Sequence, residues 1–239
     1  MKGGIFILNK LIENYKQRKE DIKLANNKKD AFNNVLSFVK EIIKGENDDN
    51  KLLLIDYVME TIKKDLQYSM LTEIMYKPKW GAIDISRNTF LPDNYFDEFG
   101  KRKKCIYSEE RSVDLLKDTI ILVPYNIDRK KNSIINLSKL DFEYDSINHM
   151  GIYYTFIDIC YVYNGIHSTS SGIELKKEGN IRVKDVVKIE ELFDYVYTDG
   201  EKWYDTNLGE EIDIVIDCRL AILYEVAKIK YEIIKKSSD

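Results

Sequence analysis

The stretch Gly151-Ile-Tyr-Tyr-Thr-Phe-Ile-Asp-Ile-Cys-Tyr-Val-Tyr-Asn-Gly-Ile-His-Ser-Thr-Ser170 decides how the chain is read. Its two runs, Gly151 to Phe156 and Ile157 to Tyr163, are rich in Ile, Tyr, Val and Thr, which suit a pleated, half-buried surface. They form one long strand or two meeting at a bulge. Asn164-Gly165 then supports a sharp turn with positive φ, and Ser168, Thr169 and Ser170 crowd several hydroxyl donors into one small volume. A helix starting there would add the favourable end of its dipole for an anion.

The 239 residues contain two histidines, and they bracket the two strand-like runs: His149 closes Asp145-Ser146-Ile147-Asn148-His149, and His167 follows Asn164-Gly165. A strand pair returns its ends toward each other and lets both imidazoles approach one place, whereas one straight strand holds them apart. The strand pair is the expected geometry. The bland reading is an Asn-Gly turn whose hydroxyls cap a helix and whose histidine is satisfied by the backbone.

Working outward, the first 75 residues or so read as helices. Phe32, Val35, Leu36, Val39, Ile42 and Ile43 recur at three and four over Ala31 to Lys44, with Gly45 placed for a left-handed cap. Leu52, Ile55, Met59, Ile62 and Leu66 repeat the pattern over Lys51 to Gln67, which predicts an antiparallel helical hairpin. Phe6 to Leu24 is more charged and reads as a helix that frays or seeks a partner. Pro78, Trp80, Gly81, Pro92 and Gly100 interrupt any period before the basic run Lys101 to Lys104. Residues 1–76 are thus a helical N-terminal region, 77–107 an irregular connecting segment, and 108–239 an α/β domain.

Within that last part Ser108-Glu109-Glu110-Arg111 has a capping-type start and predicts a short helix. Thr119 to Val123 predicts a strand ended by Pro124, and Arg129 to Leu140 a helix. Further strands are expected at Ile181 to Val187 and Ile212 to Ile216, with a short helix and extended chain over Glu190 to Tyr197. Glu178-Gly179-Asn180 and Asp199-Gly200 read as hairpin turns. Arg219 to Lys235 carries two apolar stripes, Leu220, Leu223, Tyr224, Ala227, Tyr231 and Ile234 opposite Ile222, Val226, Ile229 and Ile233, so it must be covered on both sides. The fold class is therefore α+β: a helical N-terminal part packed on a small mixed sheet domain with a buried C-terminal helix. Glu225, bordering the second stripe, is either a paired structural acid, with Arg129 as a partner, or a site residue.

Composition excludes several classes. With 37 Lys+Arg against 41 Asp+Glu, the formal charge is −4, which argues against a dedicated nucleic-acid coat. Residues are 44% apolar and 33% charged, ordinary for a folded protein. Cys105, Cys160 and Cys218 are too widely spaced for a disulfide framework or a zinc knuckle and read as small apolar fillers in a reducing compartment. No apolar run is long enough to span a membrane, and the start turns charged too soon for a signal peptide, so a cytoplasmic location without a membrane partner is expected.

The order Val123-Pro124, Arg129, Asp145, Asn148-His149, Asn164-Gly165-x-His167-Ser168, Gly172-Ile173, Gly179, Asp199-Gly200 and Glu225 resembles a bacterial family known as a domain of unknown function, with an Asn-Gly-Asn-His-Ser hallmark. The likeness covers roughly residues 110 to 235. It implies that Arg129, Asp145, Asn148, His149, Asn164, His167 and Ser168 belong together, without naming a substrate. The chain departs at Ile166, where that family has Asn, which removes a polar contact. A remote analogy links the strand, Asn-Gly turn and His167 to the ParB and sulfiredoxin group, whose helix N-terminus holds nucleotide phosphates; Ser168 stands where that group has Arg. The order of Arg129, Ser168-Thr169-Ser170 and Glu211 also mimics some ADP-ribosyltransferases, but nothing else in the chain supports a nicotinamide pocket.

These residues predict a phosphate- or nucleotide-binding domain with phosphodiester hydrolase, nuclease-like chemistry. His149, His167, Arg129 and Ser168 are the catalytic candidates; Asp145, Asn148, Asn164, Gly165, Thr169, Ser170 and Glu225 are the ligand-binding ones. One imidazole would take a proton while Arg129 neutralises charge, and Ser168 could serve as nucleophile with His149 as base. The partner is then a phosphorylated small molecule or nucleic acid. No particular cofactor is implied, and no metal is expected, because asparagine amides are poor ligands for the zinc or iron that two histidines and Asp145 would suggest. The alternative is a non-catalytic interaction module whose N-terminal helices meet a protein partner.

Overall fold

A computed structural model of the chain describes residues 28–76 and 90–238. The helix expected over Phe6 to Leu24 and the first part of the connecting segment, 77–89, lie outside the described residues.

Helix α1 occupies residues 28–42 and α2 spans Asp48–Tyr76, with Gly45 between them at φ +79°. The expected helices are therefore present, the second running nine residues beyond Gln67. Phe32 and Val39 of α1 share a core with Ile55, Val58, Met59, Leu66 and Met70 of α2. After the β1–β2 hairpin (Asn94–Phe96, Arg102–Lys104), β3 runs Ile106–Asp114 and β4 Thr119–Ile121. Then follow α3 (Ile127–Leu137), β5 (Met150–Tyr154), β6 (Ile159–Asn164), α4 (Ile166–Glu174) and β7 (Asn180–Val187). A 3₁₀ turn at Ile189–Leu192, the meander β8 (Val196–Thr198), β9 (Lys202–Asp205) and β10 (Glu211–Ile214), and α5 (Cys218–Ser238) complete the chain.

Five strands form one mixed sheet in the order β3-β7-β5-β6-β4. Its residues alternate between two cores, as a period of two demands. Ile159 and Tyr161 of β6 face the core shared with α1, α2 and α5; Cys160 and Val162 face the second, built with Leu137, Phe142, Ile166 and Ile173 around α3 and α4. Ile121 and Ile120 of β4 divide the same way. Each fully buried Ile or Leu contributes about 1.5–3 kcal/mol of apolar burial, so both faces are committed.

The α+β class is thus observed. Helix α5 has buried residues on both its stripes, Leu220, Leu223 and Tyr224 opposite Ile222 and Val226, and packs against α2. Arg219 fixes its start, reaching Asp65 of α2 at 2.9 Å and Asp217 at 2.6 Å. Tyr224 donates its hydroxyl to the Val196 carbonyl at 3.0 Å beside Trp203, which joins the meander to the same core. Cys105 and Cys160 are buried fillers, burial pushing the Cys105 thiol up to about 12, whereas Cys218 is half-buried.

Two local expectations fail. Ser108 to Arg111 is not helical: it lies within edge strand β3, antiparallel to β7, with a register shift between Ser108 and Arg111. Its charges find cross-strand partners, Glu109 with Lys188 at 2.8 Å and Glu110 with Arg182 at 3.8 Å, and a solvated edge tolerates them. Glu178-Gly179-Asn180 leads from α4 into β7 and closes no hairpin, while Asp199-Gly200 does turn β8 into β9.

Candidate ligand-binding cleft

The strand pair sets the site. β5 and β6 are antiparallel, with Met150 opposite Asn164, so the ends of the hairpin lie side by side. Phe156 and Asp158 take positive φ in the turn, a conformation that propensity alone does not announce. His149 just before β5 and His167 just after β6 consequently line one cleft of about 640 Å³. Arg129, Asn132, Ser133 and Asn136 of α3 supply one wall; Asp145 and Asn148 supply another, with Asn164 and the first turn of α4 between them.

Gly165 is the hinge of this arrangement. It sits at φ +74° as the N-cap of α4, no side chain caps that helix, and a Cβ there would meet the His149 ring and stand 2.6 Å from the Asn148 carbonyl oxygen. The first-turn amides of α4, which lack intrahelical partners by geometry, therefore open at the cleft.

His149 is 5% exposed, and its Nδ1 accepts the backbone N–H of Asp145 at 2.9 Å. That donor fixes the tautomer: the ring proton sits on Nε2 and is donated to Ser168 Oγ at 2.9 Å, while Ser168 donates to the Gly165 carbonyl at 3.0 Å. Burial holds this imidazole below its ordinary pKa, with Asp145 opposing weakly. His167 follows the same logic. Its Nε2 accepts the backbone N–H of Asn126 at 3.1 Å, leaving the proton on Nδ1. Burial, then Arg129 and Lys130, push its pKa down to about 4. Both rings are neutral at pH 7 and present N–H, not a free lone pair, beyond their backbone contacts.

The remaining residues divide. Asp145 accepts from the amides of Ile147 (2.8 Å) and Asn148 (3.3 Å) and from Asn148 Nδ2 (2.5 Å), which keeps its carboxyl below the usual range. Asn164 Nδ2 ties the turn to the Ile147 carbonyl at 3.2 Å. Arg129 is exposed on α3, touches the Tyr125 hydroxyl at 3.3 Å, and has no ion pair among the described residues. Thr169 and Ser170 point away from the cleft: both are fully buried, and Ser170 Oγ meets Lys130 Nζ at 2.7 Å. Lys130 also pairs with Glu174 at 2.6 Å, riveting α3 to α4. Glu225 is not in the cleft and does not meet Arg129; in α5 it accepts the Thr198 amide at 3.2 Å, and burial raises its carboxyl. Sequence reading missed Asn132, Ser133 and Asn136, although their spacing of three, four and seven residues from Arg129 marks one polar helix face. It also missed Tyr125, Tyr144 and Tyr163, which add aromatic surface.

Among the described residues, no group of three or more His, Cys, Asp or Glu is placed to hold a metal ion, and no helix is long and apolar enough to cross a membrane. The fold and site together define a mixed-sheet α+β protein with a polar, histidine-bearing cleft at a strand-turn-helix junction. The chain belongs to a family of unknown function, DUF6710, whose model matches residues 17–237. No curated protein and no solved structure matches it.

Proposed function

We propose that the cleft binds a phosphorylated small molecule, a nucleotide being the class that fits its walls, and that it does so without histidine-driven hydrolysis. The observation that carries this reading is the uncapped first turn of α4 opening beside Arg129, with the His167 imidazole held as an Nδ1–H donor. Helix amides, a guanidinium without a carboxylate partner and a neutral N–H are donors, which is what phosphate oxygens require. The exposed faces of Tyr125 and Tyr163 offer stacking surface for a base.

The hydrolase half of the expectation finds less support. A general base needs a lone pair, and each imidazole already uses one to accept a backbone N–H. Ser168 receives a proton from His149 and gives its own to Gly165, so it is not an activated nucleophile. A binding protein that senses or carries its ligand is the reading that agrees with both histidines sharing one cleft and with each imidazole lone pair being held by a backbone amide.

Thermal-shift titration with inorganic phosphate, AMP and ATP tests it on the wild type, Arg129→Ala and His167→Ala. Nucleotide should stabilise the wild type, with affinity weakened about tenfold or more in Arg129→Ala, the order expected for a charge-assisted contact. Absence of any shift at millimolar nucleotide, or equal shifts in all three proteins, overturns the proposal. Phosphate release measured on the same samples should be nil.

A further inference from the structure

A second cavity opens off the cleft. It holds about 340 Å³ and has Tyr144, His149 and Tyr163 as walls in common with the cleft. Beyond those walls it is lined by Ser108, Arg182, Lys184 and Asp185. Asp185 is the anomaly among them. It lies in β7, an interior strand of the five-stranded sheet, opposite Ser108 of β3 on one side and Ile152 of β5 on the other. Aspartate is disfavoured in strands, and a carboxylate drawn partly out of water without a donor costs free energy. Yet the half-buried Asp185 side chain makes no hydrogen bond or ion pair among the described residues. The nearby cations do not neutralise it: Arg182 stands 3.8 Å from Glu110, and Lys184 is exposed without an ion pair among the described residues. Burial, then the Asp185 charge, push the Tyr163 phenol above its ordinary pKa, so the carboxylate is felt at the ring that the two cavities share.

We propose that this second cavity reads the base of the nucleotide and selects guanine, with Asp185 accepting its N1–H and 2-amino group; the inference rests on the nucleotide reading of the cleft. Asp185 does not line the cleft where Arg129 and the first turn of α4 meet phosphate, whereas Tyr163 lines both cavities. A base stacked on Tyr163 therefore turns its edge, not its ribose, toward Asp185. Two carboxylate oxygens match two adjacent N–H donors, and guanine carries that pair. Its O6 is an acceptor, which Arg182 and Lys184 on the same cavity wall can serve. Adenine and cytosine offer one amine beside a ring-nitrogen lone pair, and that lone pair would face the carboxylate. A cationic ligand is the poorer occupant, because Arg182 and Lys184 repel it.

GMP, IMP and AMP test this on the full chain, since they share one ribose and one phosphate and differ at the base edge. Thermal-shift titration of the wild type should show GMP binding about tenfold or more tighter than AMP. IMP, which keeps N1–H and lacks the 2-amino group, should fall between them. Asp185→Asn offers one acceptor and one donor in the same shape and should bring the three to within about threefold of one another. Arg129→Ala should weaken all three and keep their order, which separates phosphate contact from base reading. AMP binding as tightly as GMP to the wild type, or the order surviving in Asp185→Asn, overturns the proposal and leaves the nucleotide reading of the cleft standing. No shift with any of the three overturns both. The wild-type comparison needs no variant, so it still decides the matter should Asp185→Asn fail to fold.

Discussion

The backbone N–H of Asp145 points at Nδ1 of His149, 2.9 Å away, and this single contact decides which ring nitrogen carries the proton. The Asn126 amide does the same for His167 with the opposite outcome, so the two imidazoles are opposite tautomers. The chain has two histidines, and NMR of ¹⁵N-labelled protein resolves both without crowding. His149 should show the Nε2–H pattern and His167 the Nδ1–H pattern, assigned with His167→Gln. Identical tautomers would contradict the hydrogen bonds described.

The same contacts set a pH dependence. Both histidines have folded pKa values below the unfolded 6.5, His167 near about 4. The unfolded chain therefore binds more protons in that window, and stability falls as pH drops from about 6.5 toward 4, with no contribution above it. Glu225, whose carboxyl is raised, works against this trend near its own titration. Urea unfolding at pH 7.5, 6 and 5 should give a descending series, and His167→Gln should flatten it.

Gly165→Ala tests the hinge. A left-handed φ costs a non-glycine residue about 1–2 kcal/mol, and displacing the His149 ring and the Asn148 carbonyl adds about as much again. A loss of about 3 kcal/mol in urea unfolding is expected, with nucleotide stabilisation lost as well.

The buried Lys130 ammonium meets the partly exposed Glu174 carboxylate at 2.6 Å, with Ser170 as third partner. Glu174→Leu leaves an uncompensated buried ammonium and should cost about 3 kcal/mol. The double variant Lys130→Met, Glu174→Leu should recover most of that loss. If the double variant is no more stable than the single, the pair is not what joins α3 to α4.

Glu225→Gln separates the two sides of the sheet. Its carboxyl serves the Thr198 amide and is not among the residues that line the cleft, so nucleotide affinity should remain within about twofold of wild type while stability changes by about 1 kcal/mol. A tenfold loss of affinity would place it in the site after all.

Periodicity made much of this architecture legible. The α2 helix and both stripes of α5 follow from apolar spacing, which burial enforces directly, while the strand-rich run before His167 left one long strand or a pair open. What was illegible depends on partners remote in sequence. Ser108 to Arg111 carries a helix-like capping signature, but antiparallel main-chain pairing with β7, a segment some seventy residues away, holds it as an edge strand. Glu225 looked like a site acid because its amide donor, Thr198, comes from the far end of a hairpin. His149 and His167 could be grouped from sequence, yet their protonation could not, since the deciding donors are main-chain amides that every residue carries.

That last feature bears on how the cleft tolerates drift. Because peptide N–H groups, not side chains, dictate the imidazole tautomers, most replacements at positions 126 and 145 leave that instruction standing even as they alter caps and loop contacts. Proline is the exception, having no N–H to give. The proton inventory of the cleft is in this sense written into the path of the main chain, and inheriting the fold means inheriting it.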